Sequence, residues 1–159
     1  MSILPRGITG FNVPKGHPGS DRRAFLADCW QAAVCRRGRV EDRRQVKESV
    51  SANFDAWRIV LPDGEVTALV NHVHPWVGFC GPLGTRSFQP EFVEPGRFGA
   101  ALADTGRYRV LSQAELEQPV SVLACSESRK GELAQLKYWD KVAGRGRLRV
   151  GDVVFNFWD

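Results

Sequence analysis

The chain has 159 residues, 43% hydrophobic and 25% charged, which excludes the low-hydrophobicity, high-charge composition of an intrinsically disordered chain. Twenty-two Lys and Arg against 18 Asp and Glu leave a formal +4, and acids punctuate nearly every basic stretch, so charge leaves nucleic acid a possible partner but not a favoured one. No run approaches the roughly 18 apolar residues of a membrane span.

The size suits one domain over residues 1–159. Residues 1–19 hold three Pro and four Gly with little periodicity and read as an arm or ordered loop pinned by Ile8, Phe11 and Val13. Ser20 offers an N-cap. A helix is expected over 21–37, where Phe25, Leu26, Cys29, Trp30, Ala33 and Val34 recur at three-to-four spacing and Gly38 supplies a stop. Residues 39–51 carry charges of both signs with Val46 and Val50 four apart, the pattern of a short surface helix.

Two runs rich in aromatic and β-branched residues, 54–61 and 65–73, flank Pro62-Asp63-Gly64, a hairpin signal. A third run, 76–80, follows Pro75 and extends the hairpin to an antiparallel meander. Both alternating faces of 54–61 carry apolar residues, as in a central strand covered on two sides.

Beyond a loop over 81–90, a short strand at Phe92 and Val93 and a helix opened by Pro95 are expected, the helix stopping at Gly106. Residues 108–111 read as a strand, and Ser112 with Glu115 has capping-box spacing for a helix ending by Pro119. A helix over 127–139, a Gly/Arg loop over 144–146 and a last buried strand over 152–158 complete the chain. The expected fold class is α+β: a mainly antiparallel sheet, made of the central meander and a C-terminal strand, packed by four to five helices.

Cys29, Cys35, Cys80 and Cys125 lack the spacing of a disulfide framework or zinc motif and read as reduced core thiols. With no apolar leader at the start, this implies a cytoplasmic protein of bacterial style. Phosphate-binding glycine loops and nucleophile elbows are absent, and the pattern calls for no cofactor.

The most informative stretch is Asn71-His72-Val73-His74-Pro75-Trp76, which gathers two of the three histidines. On an extended strand His72 and His74 point to one face about 7 Å apart, able to act as general acid and base, to reach one metal, or to serve as hydrogen-bonded structural groups. A zinc reading needs a third ligand such as His17, Asp55 or Cys80. Asp55 and Arg58 stand on the adjoining strand in a register that orients an imidazole or anion, so the candidate binding set is Asp55, Arg58, Asn71, His72, His74 and Trp76. Arg145, Arg147 and Arg149 form a basic loop that is a weak candidate for anion or nucleic-acid contact.

The chain holds five tryptophans, and one or two exposed together would mark a binding surface. The leading expectation is a small binding protein of immunity or adaptor type that sequesters a protein partner or small ligand. A hydrolase or transferase using His72 and His74 stands second, and a weak nucleic-acid module third.

Overall fold

The computed structural model describes residues 4–10, 13–41, 52–82, 90–120 and 148–156, with single positions 134 and 141. Among these, a mixed five-stranded sheet and four helices follow one another as α1 (Arg22–Val34), β1 (Arg39–Glu41), β2 (Phe54–Leu61), β3 (Gly64–Asn71), β4 (Trp76–Cys80), α2 (Gly96–Asp104), β5 (Arg109–Val110), α3 (Gln113–Glu117) and α4 (Val150–Val154). The fold is α+β, and the sheet runs in chain order from β1 to β5.

The meander forms as its alternating runs and turn require. Leu61 pairs with Gly64 across a Pro62-Asp63 turn, and β3 returns antiparallel to β4 through Leu69↔Gly78 and Val70↔Val77. Only β5 runs parallel to its neighbour, pairing Val110 with Val77. Because side chains alternate across a strand, β2 to β4 must cover two faces. One face packs Ile59, Ala68, Val70, Val77 and Phe79 against Phe25, Cys29 and Ala33 of α1 and Phe98 and Leu102 of α2. The other packs Phe54, Leu69, Trp76 and Cys80 against Leu4 and Ile8 of the arm, Leu116 of α3, and Val153, Val154 and Phe155.

Four expectations change. Of the last strand expected over 152–158, residues 152–154 belong to the helix α4 with Phe155 as its extended C-cap, and residues 157–158 lie outside the described set; an unbroken Val153-Val154-Phe155 run cannot be told from a buried helix by its period. Asp152 closes the first turn of the helix, its carboxylate accepting the Arg149 amide at 2.9 Å. Residues 39–41 are the edge strand β1, paired through Val40↔Ile59, where a helix was expected over 39–51; residues 42–51 lie outside the described set. The cap of α1 is Asp21, whose Oδ1 accepts the Ala24 amide at 3.0 Å, while the Ser20 amide donates to the His72 carbonyl. Cys35 is exposed, whereas Cys29 and Cys80 are core thiols as expected. The expected helix over 127–139, the 144–146 loop and Cys125 fall outside the described residues, apart from position 134.

The Ser112–Glu115 capping box is present in both directions. A second tie joins α1 to the segment before β5: Asp28 accepts from Arg107 Nε at 3.2 Å and Nη2 at 2.5 Å, and from the Tyr108 hydroxyl at 2.5 Å. Burial pushes the Asp28 carboxyl up, but these hydrogen bonds outweigh it and hold the group below its ordinary value. A depressed folded value means that the stability is present above the unfolded value, about 3.9, and is lost as pH falls through the folded one. Asp28→Asn should therefore melt roughly 5 °C below wild type at neutral pH, with the gap closing in acid. A gap independent of pH in thermal melts would contradict this account.

Candidate functional site

The turn between β3 and β4 is built by Asn71. Its Oδ1 accepts the amides of Val73 at 2.9 Å and His74 at 3.0 Å, and its Nδ2 donates to the carbonyls of Ile8 at 2.8 Å and Val154 at 2.7 Å. All four bonds are internal and the residue is fully buried, so Asn71 positions the site and has no donor left for a ligand.

His72 leaves the strand on the face of Val70. Asp55 is the register partner of Val70, and its Oδ1 lies 2.8 Å from His72 Nε2. Arg22, the first residue of α1, places Nη1 3.3 Å from the same oxygen and 3.1 Å from the same ring nitrogen. A guanidinium only donates, so both N–H groups converge on the carboxylate when His72 carries its proton on Nε2, and Arg22 donates to the ring when it does not. Burial pushes the Asp55 carboxyl up, yet the hydrogen bond and charge of His72, with Arg22 beside them, hold it below its ordinary value. Among the described residues Nδ1 has no partner, and the imidazole is 30% exposed. The arrangement can take a proton or hydrogen bond from a small polar ligand.

The arm passes close to this turn. At Gly19, with φ of +75°, an added Cβ would lie 3.0 Å from the His72 carbonyl oxygen, so only glycine allows the approach.

The other expected members part company with His72. Residues 72–74 are a turn and not a strand, so the two histidines do not share a face: His74 Nε2 donates to the Arg6 carbonyl at 2.8 Å, and its ring meets that of His17 edge-on at 5.0 Å. His17 Nδ1 in turn accepts the Gly19 amide at 3.1 Å. No three His, Cys, Asp or Glu side chains among the described residues gather to hold a metal.

Arg58 stands three residues from Asp55, an odd separation that sends it to the opposite face, where it donates to Glu41 at 2.9 Å and to Glu65 at 2.7 Å. Trp76 is buried with the Arg109 guanidinium 4.4 Å above its ring. Arg149 donates to Asp152 and to the Pro90 carbonyl and lies over Phe92, a structural clasp; Arg145 and Arg147 lie outside the described residues.

A second surface was misassigned from sequence. Trp30 and Val34 were expected on the core stripe of α1, yet they are 43% and 64% exposed, and with Val13 they are the exposed large hydrophobics among the described residues. The buried face of the helix needs only Phe25, Cys29, Ala32 and Ala33. By helical steps Phe25, Leu26, Cys29, Trp30, Ala33 and Val34 sweep roughly 180° of arc, well beyond the stripe of about 100° a surface helix buries, and that excess was the available signal.

Comparison with protein families, curated proteins and solved structures finds no match to this chain. No helix among the described residues is long and apolar enough to cross a membrane.

Proposed function

We propose that this chain is a small binding protein that captures a partner protein through the outer face of α1, acting by sequestration in the cytoplasm as immunity-type or adaptor proteins do. The observation that carries the reading is the pair Trp30 and Val34, one helical turn apart and exposed, beside a core that closes without them. A tryptophan is costly to leave half in water, and covering it regains roughly 25 cal/mol per Å² of apolar surface, over a side chain that buries 150–250 Å² when fully covered. Central tryptophans of this kind dominate protein interfaces.

The test is capture from extracts of the source cell by wild type and by Trp30→Ala and Val34→Asp, with melting temperatures measured alongside. A protein held by wild type should be lost by about 30-fold or more in affinity in both variants, corresponding to about 2 kcal/mol, with melting unchanged. Identical capture by all three would overturn the reading.

A second reading has one observation in its favour, the Asp55–His72 contact at 2.8 Å. It makes the chain a hydrolase or transferase in which Asp55 orients the ring and Nδ1 serves as general base toward a small polar substrate. On that reading His72→Gln abolishes a turnover found by screening ester and phosphoester substrates, at unchanged melting temperature. A turnover equal in both proteins would remove the dyad from the mechanism.

A further inference from the structure

Resting on the binding reading, we infer that the partner presents to α1 an amphipathic helix with an apolar centre and carboxylates at both ends. The outer face of α1 is a seam: Arg23, Ala27, Trp30 and Val34 are all exposed at four-three-four spacing, and Arg37, three residues beyond Val34, is exposed just past the helix. That interval is the a/d spacing by which one helix receives another, side chains of each entering the gaps of its partner. Ala27, small beside Trp30, leaves room for a side chain of the incoming helix.

Charge identifies the ends. Among the described residues neither Arg23 nor Arg37 has an ion-pair or hydrogen-bond partner for its guanidinium, unlike Arg22 and Arg36 next to them. Arg23 stands in the first turn, where the helix macrodipole disfavours a cation, and the acid at that end, Asp21, is engaged as the N-cap of the Ala24 amide. Arg37 occupies the left-handed region at φ of 59°, a position that glycine fills at lower cost. Among the described residues neither cation has a folding contact that accounts for it. The acids of α1 and its cap are committed, Asp21 to the Ala24 amide and Asp28 to Arg107 and Tyr108. Carboxylates on the partner at both ends of the seam complement what is left.

A second copy of the chain does not fit: parallel seams oppose Arg23 to Arg23, and antiparallel seams oppose Arg23 to Arg37. A lipid surface fits less well than a helix, because two apolar side chains do not make the continuous hydrophobic face that inserts into a bilayer.

The experiment uses the full chain and two labelled synthetic helices of about 18 residues, each with leucines at a/d spacing in its centre, one with glutamates and the other with lysines at both ends. Fluorescence anisotropy should show the glutamate-ended helix binding at least about tenfold tighter than the lysine-ended one, with the advantage shrinking between about 50 and 500 mM salt. Arg23→Glu combined with Arg37→Glu should reverse the preference while the melting temperature stays within about 2 °C, and Val34→Asp should weaken both helices. Equal binding of the two helices, binding of neither, or an unchanged preference in the double variant would overturn the proposed partner chemistry. The same double variant losing adsorption to phosphatidylserine vesicles that wild type binds more tightly than either helix would assign the seam to a membrane surface instead. Failure of the binding reading has a separate signature, namely that capture from the extract ignores Trp30→Ala.

Discussion

Asn71→Ala is expected to bring the protein to the edge of unfolding. Asn71 joins three separate segments, the Ile8 carbonyl of the arm, the Val154 carbonyl at the end of α4 and the Val73 and His74 amides of the turn, through four bonds of 3.0 Å or less. Removing the amide leaves two carbonyls and two N–H groups to find other partners in a region where the side chain was fully buried. An orphaned buried polar group costs about 1–3 kcal/mol, and the four do not add independently, so a loss of roughly 3–5 kcal/mol is expected. Total stabilities of ordinary domains are only about 5–15 kcal/mol. Urea titration measures the difference, and a loss below about 1 kcal/mol would show that Asn71 does not hold these segments together. Asn71→Asp supplies a control with a sign. It keeps the acceptor for the turn amides but points an oxygen at two carbonyls, which pushes the new carboxyl up; the folded state then prefers the protonated form, so the defect of this variant shrinks in acid and grows as pH rises through the folded value.

Phe155→Ala is the second large effect, expected at about 3–5 kcal/mol. The ring is buried at the centre of one face of the sheet, edge-on to Phe54 at 5.7 Å and tilted against Phe92 at 6.4 Å. The strand opposite makes room for it: a Cβ on Gly78 would lie 2.7 Å from the Phe155 ring and 3.1 Å from Leu116. Gly78→Ala alone should therefore destabilise by about 1–3 kcal/mol through overpacking, and less in the Phe155→Ala background, where the space is open. Strict additivity in that double-mutant cycle would refute the contact as the reason for the glycine. Truncation before residue 154 removes Val154 and Phe155 together and should leave no cooperative thermal transition.

The pattern of residues determined the central meander by itself, because alternating apolar side chains on either side of a Pro-Asp-Gly turn have one economical pairing, and two-sided apolar content in β2 requires cover on both faces. The Ser112 capping box and the presence of α1 were legible for the same reason, as interactions between residues three or four apart, although the helix ends at Val34 where 37 was expected. Asp55 meets His72 as the hairpin register allowed, since a two-residue turn propagates its pairing down both strands. What lay beyond the sequence were choices made by distant partners. Val153-Val154-Phe155 suits strand or helix equally; Asp152 closes the first turn of the helix, and the side-chain amides of Asn53 and Asn71, 100 and 83 residues away in the chain, donate to the Val153 and Val154 carbonyls at its end. His74 turns from His72 because Asn71 draws the chain into a turn and the arm offers the Arg6 carbonyl. Which side of α1 is buried was decided by the sheet it lies on: Phe25, Cys29 and Ala33 fill the available contact with α2 and the strands, so Trp30 and Val34, equally apolar in the sequence, are left outside.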